Sequence, residues 1–394
     1  MPVTRRRSFG PLRVESDLDG VSRLLGWSFS FPPEDTRDWL ERGGLENVRV
    51  LRDGRAPVAA VMFIPMGQFF GGASVPMVGL AGVGVAPEHR GTGVGAELCR
   101  ATVAELHRRG VALSTLYPST QKLYRGAGWE VAGGRWEVRI PPSLIRVHEA
   151  SCTVRAMESA DRPAVMELYR QRAPTRNGEL DRGPYCWSRV FDPRGRSPLG
   201  FLVEHRGKLE GYAVLYQIAR EPPHSDLVAH DLCAATPRAA RKLLSLLAQH
   251  KTLVQTAVWR GSSADALLHL LPERGYDVRL RDPWMVRVCH VQLALEARGY
   301  PPGLRAELHL AVDDDALPRN AGSWILRVED GRGELARGGS GRLRADVRAL
   351  AALYTGYMTA EALATTGALS GRAADLATAS AVFAGGSPAM TDMF

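Results

Sequence analysis

Apolar positions near the start of the chain alternate between two periods. Val48–Leu51 and Pro57–Ile64 read as strands joined by a turn at Asp53-Gly54. Pro76–Val85 is an apolar, glycine-rich run suited to a strand rather than a helix. The period then changes. Within Gly95–Arg109, Ala96, Cys99, Val103 and Leu106 recur at helical spacing, and Gly110 supplies a stop. Val111–Leu116 is the next strand, Gln121–Arg125 a short helical turn before Gly126 and Gly128, and Pro141-Pro142 closes the segment. Strand, glycine turn, helix, strand, short helix, strand is the order of an α/β unit.

A second segment repeats this layout. Phe201–Glu204 and Gly211–Leu215 flank a turn at Gly207, Asp226–Ala234 is the counterpart of Pro76–Val85, and Thr236–Gln249 is a helix with Pro237 in its first turn. Leu271-Pro-Glu-Arg-Gly275-Tyr-Asp-Val278 lines up with Tyr124-Arg-Gly-Ala-Gly128-Trp-Glu-Val131. Identity between the copies is weak but the order is kept, which predicts a duplicated fold. The third segment differs. Leu308, Leu310 and Val312 alternate, and Trp324–Val328 forms a strand before Asp330-Gly331. Ala345–Thr355 and Thr359–Gly367 look helical, and an Ala-rich stretch leads to the apolar end Met390–Phe394 behind Gly385-Gly386. The expected domains are 1–147, 148–290 and 291–394.

Composition narrows the class. A chain of 394 residues suits two or three domains. Its 45% apolar and 23% charged residues are those of a globular protein, so disorder is not the default. No apolar run reaches 18 residues, which argues against a membrane span, and Arg5, Arg6 and Arg7 precede no apolar signal segment. A cytoplasmic protein is expected. The five cysteines are scattered, without a CxxC pair or a His/Cys cluster, so neither a disulfide framework nor a zinc site is predicted; they read as buried fillers. Asp313-Asp-Asp315 reads as a solvated loop. The net charge of +8 comes almost wholly from arginine and would steer anionic ligands. The arginines are spread along the chain and no recognised binding motif accompanies them, which argues against nucleic acid.

The informative stretch is Val83-Gly-Val-Ala-Pro-Glu-His-Arg90-Gly-Thr-Gly93-Val-Gly95, in which Arg90, Gly93 and Gly95 fit R-x-x-G-x-G at a strand-to-helix junction. Glycines there let the backbone approach an anion and take unusual dihedrals. Free N–H groups of the helix's first turn, aided by the helix dipole, can then hold a diphosphate. The amides of Val83 and Val85 would pair with an amide-bearing chain as an added strand does. A glycine turn needed only for packing is the competing reading. The strand before, the amphipathic helix after and the Tyr-bearing turn one strand later favour the binding role.

These motifs, with Leu123-Tyr124-Arg-Gly-Ala-Gly128-Trp129, resemble the GNAT acetyltransferase superfamily and, more narrowly, the Eis (enhanced intracellular survival) family of bacterial aminoglycoside N-acetyltransferases. The resemblance covers the whole chain. It implies two tandem GNAT folds, the second degenerate, followed by a sterol-carrier-protein-like α+β domain. It also implies acetyl-CoA as co-substrate, no metal, a small-molecule amine as acceptor and a homo-oligomer, typically a hexamer. By position the donor pocket comprises Val83, Gly84, Val85, Arg90, Gly91, Thr92, Gly93, Val94, Gly95, Ala96, Ser119 and Thr120. Family members often carry further basic residues where this chain has Gly91 and Thr92, so contact with nucleotide phosphates should be weaker here.

The resemblance makes Tyr124 the general acid. A phenol with an ordinary pKa near 10 keeps its proton at neutral pH and can give it to a departing thiolate; the alternative is a tyrosine that only packs on the sheet. The base would be the terminal carboxylate of Phe394, a weak base unless burial or a bound water assists. Chain ends usually fray, but the apolar Met390–Phe394 argues for docking. Trp27, Phe29, Phe31 and Trp39 would line an acceptor pocket, and Glu34, Asp35 and Asp392 would attract a polycation, although aromatics at such spacing are as often core. In the second copy Thr236-Pro-Arg-Ala-Ala-Arg241 lacks glycine and Leu271 replaces the tyrosine, so that copy should only wall the acceptor cleft. Lysine acetylation of a peptide, or a non-catalytic acetyl-CoA-binding regulator, would use the same cradle.

Overall fold

The computed structural model describes residues 7–394; Arg5 and Arg6 lie outside the described residues, while Arg7 pairs with Glu97 at 2.8 Å. The first unit runs β1 (Ser8–Pro11), α1 (Val14–Phe29), α2 (Pro33–Gly43), β2 (Val48–Asp53), β3 (Ala56–Phe70), β4 (Ala73–Val85), α3 (Val94–Arg108), β5 (Leu113–Leu116), α4 (Gln121–Arg125) and β6 (Glu130–Ile140). The second repeats the order: β7 (Thr153–Ala156), α5 (Arg162–Arg172), β8 (Leu180–Asp181), α6 (Pro184–Phe191), β9 (Leu199–His205), β10 (Lys208–Ala219), β11 (Ser225–Ala234), α7 (Pro237–Ala248), β12 (Val254–Gly261) and β13 (Asp277–Val288). The third holds α8 (Val291–Ala297), β14 (Ala306–Asp313), β15 (Gly322–Glu329), β16 (Arg332–Arg337), β17 (Leu343–Asp346), α9 (Val347–Tyr354), α10 (Ala360–Thr365), β18 (Leu369–Ser370) and α11 (Ala373–Val382).

The duplication is real, but the copies are interlocked. Strands of both form one sheet in the order β1-β2-β3-β4-β5-β13-β6-β12-β11-β10-β9-β7. Each copy gives its last strand to the other: β13 lies antiparallel between β5 and β6, and β6 lies antiparallel between β13 and β12. The second copy therefore completes the first copy's sheet. A change in β13 is felt directly at β5.

Strand β3 continues six residues past the expected Ile64. Proline breaks a strand only where its missing N–H leaves a ladder gap. On one edge of β3 the pairing with β2 ends at Met62 and that with β8 begins at Gly67, so Pro65 stands where that edge has no strand partner.

The third unit is a five-stranded sheet, β16-β15-β14-β17-β18, with α9 packed on β6 and β13 and α8 on β4 and β16. Its core, including Leu308, Leu326 and Leu350, is continuous with that of the first unit around Leu25, Val50 and Ile64. Asp314 corrects the expected solvated loop. Its carboxylate is buried 2.7 Å from the Arg287 guanidinium of β13, caps the Leu317 N–H at 3.0 Å and accepts from Asn320 Nδ2 at 3.0 Å. A polar network satisfied to this degree fixes how the third unit sits on the sheet. All five cysteines are buried and unpaired. Among the described residues no helix is long and apolar enough to cross a membrane.

Candidate active site

The two parallel strands at the centre of the first unit separate. β5 pairs with β4 only from Met77↔Leu113 to Gly79↔Thr115, so the β5-side edge of β4 from Leu80 to Val85 has no strand partner. On its other edge β4 stays paired with β3 but bulges: Ala60 faces Gly84 and Met62 faces Ala81, leaving Gly82 and Val83 opposite Val61 alone. The fork opens toward the turn before α3. There Arg90 Nε donates to the Val85 carbonyl at 3.2 Å, its Nη2 donates to Ser28 Oγ at 3.4 Å, and Thr92 Oγ1 donates to the His89 carbonyl at 2.7 Å. Arg90 thus braces the turn against the strand end and α1.

Gly91 and Gly93 hold φ of +75° and +87°, in the left-handed region that a Cβ strains, and each faces open space. Gly93 is the N-cap of α3 and brings no side chain to it, so Val94, Gly95 and Ala96 present their N–H groups at an uncapped helix start. The second unit shows the contrast. At the matching helix α7, Thr236 Oγ1 accepts from the Ala239 N–H at 3.2 Å, while Glu210 accepts from Thr236 at 2.6 Å and from Arg238 at 2.7 Å. One fork is open to an anion; the other has closed its helix on itself.

Tyr124, on α4, is buried among Val94, Leu98 and Cys99 and meets Trp129 edge-on at 6.2 Å. Burial, with Cys99 adding and the Ser119 hydroxyl opposing, pushes its phenol well above the ordinary value, so a group already protonated at neutral pH holds its proton more tightly. Ser119 and Thr120 are exposed between β5 and α4.

The chain end is docked at the same fork. Met390 N–H donates to Gly134 O at 3.3 Å, Ala389 N–H to Asn177 O at 3.0 Å, and Arg135 Nε to Thr391 O at 3.3 Å. Tyr117 Oη, just past β5, donates to the Asp392 carbonyl at 2.5 Å, and its ring lies 5.7 Å from that of Phe394. A Cβ at position 79 would lie 2.6 Å from the Phe394 ring, so only glycine admits the terminal residue. Gly79 is also the last β4 residue paired with β5. Phe394 packs with the α1-side core and Tyr124 with the α3-side core. They approach the fork from opposite faces of the sheet.

Buried charges hold the tail. Arg182 pairs with Asp231 through two hydrogen bonds of 2.7 and 2.9 Å, reaches Asp392 at 2.9 Å and stacks 3.8 Å over the Tyr169 ring. Asp392 is thus spoken for, which corrects its expected role in attracting an acceptor. Glu34 and Asp35 are exposed in the first turn of α2. Trp27, Phe29 and Phe31 are exposed rather than core, with the Arg194 guanidinium 5.1 Å from the Phe31 ring centre. Trp39 donates from Nε1 to Tyr185 Oη of the second unit at 2.8 Å. Sequence reasoning missed Tyr117, Arg182 and Asp231. Only Asp231 carried a signal, an acid inside the otherwise strand-forming run Asp226–Ala234. No group of His, Cys, Asp and Glu suited to a metal occurs among the described residues.

Comparison with known proteins fits this geometry. Residues 11–132 and 178–288 each match a family model described as an acetyltransferase (GNAT) domain, and residues 291–391 match a sterol carrier protein domain. An uncharacterized N-acetyltransferase of Streptomyces avermitilis is 30% identical over 75% of this chain and 76% of its own length. N-acetyltransferase Eis of Mycobacterium tuberculosis is 28% identical over 89% of this chain and 90% of its own. A crystal structure of a GCN5-related N-acetyltransferase from Anabaena variabilis superposes with a TM-score of 0.95 at 36% identity, covering 99% of this chain and 100% of that one. An open strand fork, a self-capped second copy and a sterol-carrier-like third unit over most of the length of these relatives lead to one assignment: the chain is an acyltransferase of the Eis-like family of GNAT N-acetyltransferases.

Proposed function

We propose that the protein transfers an acetyl group from acetyl-CoA to an amine of a small molecule. The observation that carries this reading is a chain terminus seated where β4 and β5 part, opposite an uncapped helix start. Val83, Gly84 and Val85 would align the donor's pantetheine arm through their free strand edge. Gly91 to Ala96, steadied by Arg90, would surround the diphosphate, and Ser119 with Thr120 would complete the pocket.

The acceptor would enter from the α1–α2 face as a protonated amine. The Phe394 carboxylate takes a proton from it, directly or through one water, and the freed nitrogen attacks the thioester carbonyl carbon. As the tetrahedral adduct collapses, the nitrogen gives up its second proton to solvent, the carbon–sulfur bond breaks and Tyr124 delivers its proton to the departing sulfur. Solvent returns both groups to their starting states, and one proton is released overall. A terminal carboxylate is a weak base, so its contribution comes from placement beside the reacting nitrogen.

Acceptors with several amines, aminoglycosides included, are the first class to test, since Glu34 and Asp35 remain exposed on α2. A hexamer and a cytoplasmic setting are proposed on the family resemblance alone. The deciding experiment incubates the protein with acetyl-CoA and an amine panel, following free thiol and the mass of each acceptor. Thiol release matched by an acetylated amine is expected. Donor binding without turnover on any amine would leave only the regulator reading.

A further inference from the structure

The second unit keeps a fork of its own. β11 and β12 pair in parallel as far as Ala229↔Trp259 and then part. Between them, at the start of α7, lies a cavity of about 250 Å³ whose apolar wall includes Leu232, Trp259 and Leu267. Thr236 and Glu210 have closed the helix end, so backbone amides are not what this cavity offers. Its edge carries Arg172, Arg176 and Arg260 instead.

Their charge is not balanced. Glu179 alone faces Arg172 at 3.1 Å and Arg176 at 3.8 Å. Glu137 is shared among Arg260, Arg139 and Arg281, and Asp226 between Arg139 and Arg220. Counting Asp265, which lines the cavity and keeps its charge while capping, six guanidinium groups face four carboxylates. The acid within the cavity, Asp265, is engaged in capping the Leu267 N–H at 2.9 Å. Arg172 Nε is buried with no hydrogen-bond acceptor, a standing penalty on that side chain's present position. Burial, with the neighbouring Arg135 adding, depresses the Arg260 guanidinium below its ordinary value.

We propose that this fork is a second ligand site, taking a small oxyanion, carboxylate or phosphate, at Arg172, Arg176 and Arg260. Planar guanidinium groups suit such an anion because two N–H bonds reach one oxyanion group at once. The site bears on the active end of the chain. Thr391 lines the same cavity and donates from Oγ1 to Glu179 Oε2 at 3.1 Å, three residues before the terminus. An anion that draws Arg172 and Arg176 away from Glu179 leaves that carboxylate more fully to Thr391, and so to the tail.

The test is calorimetric titration of the full chain with inorganic phosphate and, separately, with butyrate at fixed ionic strength. Coenzyme A is present in excess to occupy the α3 turn. Saturable binding of either probe is expected, weakened about tenfold or more in Arg176→Gln and only partly recovered in Arg176→Lys, which keeps the charge but not the paired N–H bonds. Arg176 is half-exposed, so its replacement leaves the core intact. Whichever probe binds identifies the oxyanion. No saturable binding of either, or equal affinity in wild type and Arg176→Gln, overturns the site. If coenzyme A itself does not bind, the comparison is run on the free chain. The Arg176 effect then reports on this cavity independently of the donor reading.

Discussion

The Arg182 guanidinium and the Asp392 carboxylate meet at 2.9 Å in the interior, joining a loop of the second unit to the chain's last three residues. Asp231 already holds the same guanidinium through two bonds, so Asp392 is the second carboxylate on one cation. Removing the cation leaves both acids buried without their countercharge, Asp231 keeping only the Tyr212 hydroxyl, a loss of about 3–5 kcal/mol for a broken buried pair. Arg182→Met should lower the urea midpoint markedly and release the tail. Denaturation read beside tail proteolysis checks this; an unchanged midpoint would contradict it.

The same pair predicts a pH dependence. Burial is the largest influence on Asp392 and, with Arg182 opposing and Asp231 adding, pushes its carboxyl up to about 6. In the unfolded chain it titrates near 3.9. The folded state therefore binds the proton more tightly, and this group's contribution to stability is greatest below pH ~4 and declines as pH rises to about 6. The change is on the order of 3 kcal/mol. Asp392→Asn should flatten that part of the stability–pH curve; an identical slope in wild type and variant would dismiss the assignment.

Tyr117→Phe removes the hydroxyl that donates to the Asp392 carbonyl but keeps the ring beside Phe394. A net loss of about 1 kcal/mol is expected, read as a several-fold fall in kcat with coenzyme A affinity preserved. Equal losses in kcat and donor affinity would mean that Tyr117 serves the donor pocket instead.

Gly93→Ala places a Cβ at φ +87° while filling only open space. The penalty, about 1 kcal/mol or more, falls on the turn and not on the core. Donor affinity should drop about fivefold or more and acceptor KM should hold. The same substitution at Gly207 (φ +75°, also open) should lower stability alone. Donor affinity equal to wild type in Gly93→Ala would remove the turn from the donor site.

How much of this was legible depends on range. Helix α3 and its turn were readable because Cys99, Val103 and Leu106 show their period locally and Gly91 and Gly93 mark the backbone they must adopt. The closed second fork was readable from Thr236 replacing a glycine. The exchange of β6 and β13 was not, since a strand of either copy satisfies the same apolar pattern whichever neighbour it takes. Arg182 was also hidden. Nothing within several residues of it shows that two acids, 49 and 210 positions away, will surround it. Asp314 misled because a run of three acids reads as solvated until the partner, Arg287, is known.

Tyr124 holds its proton at neutral pH and burial holds it more tightly; as the general acid, its replacement in Tyr124→Phe should keep coenzyme A affinity and lower kcat about 100-fold, within the range for a lost general acid. An unchanged kcat would leave Tyr124 a packing residue of the α3-side core.

The proposed base is the terminal carboxylate of Phe394, whose ring sits at the fork beside Gly79. Steady-state kinetics of a variant with one glycine added after Phe394 test it most directly. The extension leaves the Arg182, Tyr117 and Gly79 contacts in place and moves only the charge. A fall in kcat of about 100-fold with coenzyme A affinity unchanged is expected; full activity in the extended chain would rule out the terminal carboxylate as the base.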